Sequence, residues 1–442
     1  MTQHSHMTQE VASALLDIDE RAHVRLVEEI EQARSKGHVV TIGRTVDVAY
    51  DHPERIHHMY DNLKSLDAQL ANRRRELVTL GVGPLGLSPL RRRQRTEQAL
   101  YLQLEPMRDD LLFGPDASDS RAWHNQRGKA AALLTIVYAH ELKAPDSSDG
   151  RYGTMAGPLD ERVLDYTFDE RAPNLDGMSV RDALVWSDMT YKKKHQHIAE
   201  LDAEQRVSAL NEFLHAPNSP KFKEIVEYCT DSLGIRARKE EVHEKIRNHL
   251  LSKGGKGKRD EYIMMSFGCG TALPMLEVIA DLRTNHGIRA KLLLLDQDPL
   301  ALASAACLAD TLGVADEIEL HCEQLFSRIG TPLKLDTILR GRQLDIAEDS
   351  GLREYLPDAI YRKLTRESWK NLRDGGLMTT GNMNVNRPQS EFLHGMMGWV
   401  PRVRMRAIEE GLRLHRAAGI PAGLTSARVT RDGVYTLYFT EK

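Results

Sequence analysis

The segment 261–298 constrains the fold of this chain more than any other part of its sequence. A short apolar run leads into a Gly-x-Gly turn at Gly268 and Gly270, and a helical pattern begins near Pro274. Proline suits the first turn of a helix because its φ is fixed and its missing N–H would have no partner there. A second apolar run ends at Asp296. This order of strand, glycine turn, helix, strand and acid predicts half of a nucleotide-binding α/β unit.

The two glycines and the acid together indicate a ligand site. Glycine adopts positive φ easily and lets the backbone approach a ligand closely. The carboxylate of Asp296 can accept hydrogen bonds from two ribose hydroxyls, so we expect an adenosine-type cofactor at this turn. Two alternatives stay open: Gly268 and Gly270 can form an ordinary tight turn, and Asp296 can cap the helical segment that starts at Pro299.

Composition limits the classes of protein that the chain can belong to. A length of 442 residues suggests at least two domains, and 41% hydrophobic with 28% charged residues is typical of a soluble globular protein. A net charge of −4 argues against bulk electrostatic binding of nucleic acid. The four cysteines show no C-x-x-C spacing, and no apolar stretch approaches the roughly 20 residues that span a bilayer. We therefore expect a cytoplasmic protein without a metal site or a membrane span.

The pattern of the sequence changes at a glycine- and lysine-rich run, 253–259, which predicts a flexible linker. Residues 1–252 show helical periodicity and no confident strand, which predicts a helical accessory region that determines substrate specificity. In 260–442, strands alternate with helices, which predicts a parallel sheet. The predicted strands are 262–266, 290–295, 317–322, 335–339 and 376–381, followed by a hairpin of 425–430 and 434–440.

The part from residue 260 onward resembles the class I S-adenosylmethionine-dependent methyltransferases. Their glycine motif usually reads acid-x-Gly-x-Gly-x-Gly, whereas this chain has Ser266 in place of the acid and Ala272 in place of the third glycine. Asp296 matches the acid that binds the ribose in that family, and 374–377 resembles its Pro-Gly-Gly turn. The resemblance implies a Rossmann-like α/β domain, mostly parallel with a C-terminal antiparallel hairpin. The all-α N-terminal region that precedes it is predicted from its helical pattern alone and resembles no known family.

The same resemblance implies S-adenosyl-L-methionine as the cofactor. The expected cofactor-binding residues are Ser266, Gly268, Cys269, Gly270, Asp296, Gln297, Glu323, Gln324 and Arg340. Cys269 is interpreted as a small buried residue, since no histidine partner lies close to it in sequence. A domain of about 180 residues is expected to bind this cofactor alone, so a chain that begins near Arg259 should retain binding but lose transfer to the acceptor. The alternative is that the apolar surface exposed by the truncation prevents folding.

The acceptor side is predicted from the rule that ligands bind at the carboxyl ends of parallel strands. Polar residues that follow the predicted fourth and fifth strands include Asp345, Asn382, Asn384 and Arg387. The last three are expected to contact the acceptor, and Asp345 and His394 are candidate general bases. A weaker likeness to bacterial methyltransferases of fatty-acid methyl ester biosynthesis favours a small-molecule or lipid-like acid as the acceptor.

Other functions remain as alternatives. They are a nicotinamide-dependent oxidoreductase, a different transfer reaction of the same cofactor, and a non-catalytic adaptor that keeps the fold. The basic runs Arg73–Arg75 and Arg91–Arg95 would suit RNA, although such runs usually form solvated helix faces. Histidines at 4, 6, 57, 58, 195 and 197 form pairs, but no matching set of carboxylates or cysteines accompanies them.

Overall fold

A computed structural model gives the fold of the chain. It describes residues 9–44, 48–79, 227–253, 261–296, 312–327, 331–389 and 403–442, with short pieces within 103–110, 174–179 and 302–310. Gln297, His394, the basic run Arg91–Arg95 and most of the predicted linker lie outside the described residues.

A sheet of eight strands forms the centre of the molecule. The strands are β1 (Val40–Ile42), β2 (Tyr262–Phe267), β3 (Ala290–Asp296), β4 (Ile318–Cys322), β5 (Leu344–Asp349), β6 (Leu372–Met383), β7 (Thr425–Val429) and β8 (Tyr435–Glu441). Their order across the sheet is β1-β7-β8-β6-β5-β2-β3-β4. Strands β2 to β6 run parallel, and β8 is antiparallel to both β6 and β7.

Helices cover the sheet. They are α1 (Glu20–Ser35), α2 (Pro53–Thr79), α3 (Thr230–Lys253), α4 (Leu273–His286), the single turn α5 (Asp336–Leu339), α6 (Asp358–Asn371) and α7 (Ile408–Ala417). Every residue of β2 and β5 is buried, which is expected of parallel strands covered on both faces. Pro274 lies in the first turn of α4, as predicted.

The N-terminal half contributes to this sheet and to its core. β1 pairs in parallel with β7, with Val40 opposite Ala427, so the prediction of helices alone in residues 1–252 is wrong there. Three residues are too few to show the alternation from which a strand is recognised. Two further short strands, Asn174–Leu175 and Met178–Ser179, form a separate ladder.

Helix α3 belongs to the same hydrophobic core as helix α4. Its buried apolar side chains are Leu233, Ile235, Val242, Ile246 and Leu250, and they share one cluster with Leu276 and Ile279 of α4. Burial of each such side chain stabilises the fold by about 1.5–3 kcal/mol, so the five contribute roughly 7–15 kcal/mol. That sum is about as large as the whole stability of a typical domain.

The predicted strands agree with the structure except for the fourth. Residues 335–339 contain α5 instead of a strand, and the real strand is β5, nine residues later. Leu335, Ile338 and Leu339 are buried while the two residues between them are exposed, which is the spacing of a helical turn. A short apolar run cannot be assigned to helix or strand from periodicity alone. Because of this error, the residues that were expected to follow the fourth strand lie elsewhere in the fold.

Candidate functional site

The glycine turn joins the carboxyl end of β2 to α4. Gly268 and Gly270 have φ values of 57° and 53°, and Gly268 N–H donates to the Leu295 carbonyl at 2.8 Å. Ala272, at the position of the family's third glycine, also has a positive φ of 54°. A left-handed conformation costs a non-glycine residue roughly 1–2 kcal/mol. The turn therefore keeps the backbone shape of the glycine motif even where the third glycine is missing.

Asp296, the last residue of β3, meets this turn directly. Its carboxylate Oδ2 accepts the N–H of Gly270 at 2.9 Å, and the residue is only partly buried. The structure thus brings together the two features on which the sequence prediction rests. They lie at the edge of the sheet where the parallel strands end, which we call the carboxyl edge.

Ser266 holds a carboxylate from the neighbouring strand β5. Its hydroxyl donates to Glu348 Oε2 at 2.5 Å, and Glu348 Oε1 accepts both the N–H and the hydroxyl of Ser350, at 2.7 and 2.6 Å. Both Ser266 and Glu348 are buried. Glu348 therefore places a carboxyl group beside the position where the methyltransferase motif usually has an acid. The sequence analysis missed this residue because it placed the fourth strand too early.

Cys269 lies beside these carboxylates. Burial, together with the charges of Asp296 and Glu348, raises the pKa of its thiol well above the usual range. The thiol is therefore neutral near pH 7 and is a poor nucleophile. The raised pKa agrees with the interpretation that Cys269 is not a nucleophile, whereas its side chain is half-buried and not fully buried as predicted.

The turn that follows β5 packs over the glycine turn. A Cβ atom added at Gly268 would lie 3.1 Å from Leu352 Cδ1, so the two turns are in contact. A Cβ at Gly351 would lie 3.0 Å from Nη1 of Arg238, which reaches this edge from α3. Three elements that are far apart in sequence therefore meet at the carboxyl edge: the glycine turn, the turn after β5 and helix α3.

A buried ion pair holds this second turn in place. Arg353 Nη2 lies 2.5 Å from Asp349 Oδ2, and the two side chains are 0% and 1% exposed. Arg353 Nη1 also donates to the hydroxyl of Thr365 on α6. Burial raises the pKa of Asp349 to about 6, although Arg353 favours its ionised form. The turn is thus fastened both to the end of β5 and to helix α6.

Glu354, in the same turn, is a second acid that the sequence analysis missed. It is 1% exposed, and its Oε1 lies 3.8 Å from Arg238 Nη1 and 3.5 Å from the hydroxyl of Tyr435. Its Oε2 is buried and has no hydrogen-bond partner in the part of the chain that the structure describes. Burial raises its pKa to about 7. These partners come from α3 and β8, so no local sequence motif could have revealed them.

The carboxyl edge and the strand order together identify the fold. A parallel sheet closed by the antiparallel strands β7 and β8 carries the glycine turn after β2 and the acid at the end of β3. The C-terminal part of the chain has a class I methyltransferase fold.

Comparisons with known proteins do not assign the chain to a family. No protein-family model matches the chain, and no curated protein does. Similar solved structures include a possible exported protein from Bordetella parapertussis, with 16% identity, a TM-score of 0.38 and coverage of 74% of this chain and 99% of the other. The CMeT domain of a citrinin polyketide synthase has 12% identity and a TM-score of 0.37, with coverage of 81% and 98%.

A third similar structure is the magnesium protoporphyrin IX methyltransferase of Synechocystis PCC 6803 with bound SAH, with 11% identity, a TM-score of 0.35 and coverage of 48% and 87%. All of these TM-scores are below 0.5. The assignment of the class I methyltransferase fold therefore rests on the topology of the sheet and on the glycine turn.

Two residues expected in the site lie at the opposite edge of the class I methyltransferase sheet. Asp345 is the second residue of β5, where its Oδ2 accepts the N–H of Ile263 at 2.8 Å and its Oδ1 lies 3.3 Å from Nε of Arg373. Arg340 is exposed at the end of α5. The prediction of Asp345 as a general base and of Arg340 as a cofactor ligand is wrong. Both residues were expected to follow the fourth strand, but Arg340 precedes this strand and Asp345 lies at its beginning.

The residues expected to contact the acceptor already have hydrogen-bonding or ionic partners inside the fold. Asn382 accepts a hydrogen bond from Arg406 Nη1 at 2.6 Å, and Asn384 donates to the hydroxyl of Thr436 at 3.1 Å. Arg387 forms a buried ion pair with Asp231 of α3 at 2.7 Å. The expectation that Asn382, Asn384 and Arg387 face the acceptor is therefore corrected: they join the end of β6 to other parts of the chain.

Glu323 and Gln324 lie where the sequence analysis placed them. Both are exposed directly after β4, and Glu323 N–H donates to the carbonyl of Asp296 at 2.9 Å. This position at the carboxyl edge leaves their side chains accessible to a ligand that extends from Asp296.

Two further observations concern the parts of the chain that the structure describes. Arg73 is exposed on α2 and pairs with Glu76 at 2.8 Å, as expected for a solvated helix face. Within the same residues, no helix has the length and apolar character needed to cross a membrane, and no group of three potential metal-ligating side chains occurs.

Proposed function

We propose that the chain is an S-adenosylmethionine-dependent methyltransferase. The observation that carries the proposal is the contact between Asp296 and the N–H of Gly270 at the carboxyl edge. It combines a carboxylate for ribose hydroxyls with a backbone turn that a ligand can approach closely. The proposal assigns the ribose to Asp296, the methionine end to the turn 268–270, and the adenine ring to the exposed side chains of Glu323 and Gln324.

Carboxyl groups that can attract a cationic cofactor lie at this edge, together with the guanidinium groups of Arg238 and Arg353. Asp296, Glu348 and Glu354 bring carboxyl groups to the turns that surround Gly268. S-Adenosylmethionine carries a positively charged sulfonium, which such groups attract more strongly in a partly dry site than in water. The residues that the structure brings together therefore fit the cofactor that the sequence resemblance implies.

The protein's tasks in such a transfer are alignment and exclusion of water. S-Adenosylmethionine supplies an already activated methyl group when it is bound. Leu352 borders the glycine turn and Arg238 borders Gly351 in the adjacent turn, so both are positioned to cover the reactive end of the site. We propose a small-molecule acceptor, and we assign its recognition to residues 1–252, with 253–259 as the linker to the methyltransferase domain 260–442.

The proposal is tested by incubating the full chain with methyl-labelled S-adenosylmethionine and small-molecule fractions of a cell extract. We expect label to appear in a discrete low-molecular-mass product. Asp296→Ala should abolish most of this transfer, whereas Asp345→Asn, a variant of an aspartate at the opposite edge, should retain it. If neither the cofactor nor S-adenosylhomocysteine raises the melting temperature and no product is labelled, the proposed function is wrong. A saturating ligand, at a hundred times its Kd, should stabilise the fold by about 2.7 kcal/mol.

A further inference from the structure

Glu354 lies in the turn that covers the proposed cofactor site. It follows β5 at the carboxyl edge, and Leu352 of the same turn contacts Gly268. Its side chain is 1% exposed, and its Oε1 lies 3.8 Å from Nη1 of Arg238, which also borders Gly351 of this turn. Buried acids next to a ligand edge are candidates for proton transfer.

The groups that face Glu354 come from three other elements. Arg238 on α3 and Arg387 after β6 are cationic and favour its ionised form, as do the hydroxyl of Tyr435 on β8 and the backbone of Met383 on β6. Arg238 lies 3.8 Å and Tyr435 lies 3.5 Å from Oε1, so neither of these two side chains forms a short bond to the carboxylate. Burial outweighs these influences and raises the pKa to about 7. Glu354 can therefore exchange a proton near neutral pH, which is what a general base requires.

The second carboxyl oxygen of Glu354, Oε2, can accept a hydrogen bond but receives none from the described residues. Oε2 is buried and has no hydrogen-bond partner of normal geometry among the described residues. A buried acceptor of this kind costs about 1–3 kcal/mol if nothing fills it. At the carboxyl edge, an acceptor of this kind is available for a hydrogen bond from a bound molecule.

We propose that Glu354 is the general base of the methyl transfer and that its Oε2 accepts a proton from the methyl acceptor. This inference rests on the proposed function. The acceptor oxygen or nitrogen forms a bond to the methyl carbon, the carbon–sulfur bond breaks, and its electron pair stays on sulfur as a neutral thioether. The acceptor's proton passes to Oε2, so the positive sulfonium and the negative carboxylate are neutralised together.

The inference narrows the class of acceptor. A carboxylate is already ionised near pH 7 and needs no base, whereas a hydroxyl or an amine must lose a proton during the transfer. A general base at Glu354 therefore favours a hydroxyl or an amine as the methyl acceptor. The lipid-like acid, which the sequence likeness to methyltransferases of fatty-acid methyl ester biosynthesis favours, would not need this base.

A direct test compares the protons released when S-adenosylmethionine and S-adenosylhomocysteine bind. Calorimetry at pH 7 in buffers of different ionisation enthalpy measures this number for the full chain. The sulfonium of S-adenosylmethionine should lower the pKa of a nearby Glu354 and release part of a proton, whereas the neutral thioether should not. Equal proton release by the two ligands would mean that Glu354 lies away from the reacting atoms and would overturn the proposal. This test uses the unmodified protein.

Glu354→Gln provides the second test because glutamine keeps the shape of the side chain but cannot take up the proton. We expect it to retain the melting temperature and S-adenosylhomocysteine affinity, to lose the difference in proton release, and to transfer methyl groups about 100-fold more slowly. The rise of the rate towards pH 7 should also disappear. A rate and pH profile like those of the unmodified chain would overturn the proposal.

Glu317→Gln is the matched control. Glu317 is also buried, its Oε2 also lacks a partner in the described part of the chain, and burial also raises its pKa, but it lies before β4 at the opposite edge. We expect this variant to keep the transfer rate and the proton release. Failure of both ligands to bind would instead contradict the proposed function, so the two failures are distinguishable.

Discussion

Replacement of Asp296 by alanine should reduce both the stability of the free protein and its affinity for the cofactor product. The carboxylate accepts the N–H of Gly270 at 2.9 Å in a partly buried position. Hydrogen bonds to charged groups contribute about 1.5–3 kcal/mol, and partial exposure places this one near the lower end. We therefore expect Asp296→Ala to lower the free energy of unfolding by about 1–2 kcal/mol, measured by urea denaturation without ligand.

Affinity for S-adenosylhomocysteine should fall further than this loss of stability explains. One or two ribose hydroxyls would lose a charged acceptor, which corresponds to roughly a ten-fold to hundred-fold weaker Kd for each bond. Asp296→Asn keeps an oxygen that can accept from Gly270, so it should unfold almost like the unmodified chain and show an intermediate affinity. A folded Asp296→Ala protein with unchanged affinity would refute the ribose assignment, and unchanged stability would refute the role of the Gly270 bond.

Three further predictions follow from the described packing. Asp345→Asn should keep S-adenosylhomocysteine affinity, because Asp345 only anchors the amino ends of β2 and β5; a clear loss would restore it as a site residue. His415 is buried, and its pKa is lowered to about 3 in the folded protein. Because the unfolded chain takes up a proton at this histidine near pH 6.5 and the folded protein does not, the stability is full above pH 6.5 and is lost as the pH falls. His415→Gln should therefore remove about 2 kcal/mol of the stability difference between pH 6.5 and pH 5; an unchanged pH dependence would contradict this. A chain that begins at Arg259 lacks α3 and β1 and should therefore not fold. Circular dichroism should show no cooperative melting transition; a cooperative transition would show that the core does not need these two elements.

The sequence could predict those parts of the site that are formed by residues close to one another along the chain. The turn at Gly268 and Gly270 follows its strand directly, and Asp296 ends the next one, so spacing alone placed them together. Glu348 lies 82 residues from its partner Ser266, and Arg238 reaches Glu354 from a helix in the other half of the chain. Such pairs depend on the strand order, which the sequence did not specify in advance.

For the asparagine-rich segment at the end of β6, the sequence pattern indicated a ligand surface that the structure does not show. A dense set of amides in a loop normally indicates turns or a ligand surface. Here Asn382 binds Arg406, which lies 24 residues later, and both side chains are buried. A buried polar network satisfies its groups with partners that sequence periodicity does not reveal.

The central claim is that the Gly268–Gly270 turn and Asp296 hold the cofactor. A crystal structure of the full chain with S-adenosylhomocysteine tests it most directly. We expect both ribose hydroxyls within hydrogen-bond distance of the Asp296 carboxylate and the amino-acid end of the ligand against the backbone of the turn. A ligand bound elsewhere on the protein, or a glycine turn that remains empty at saturating ligand, would contradict the account.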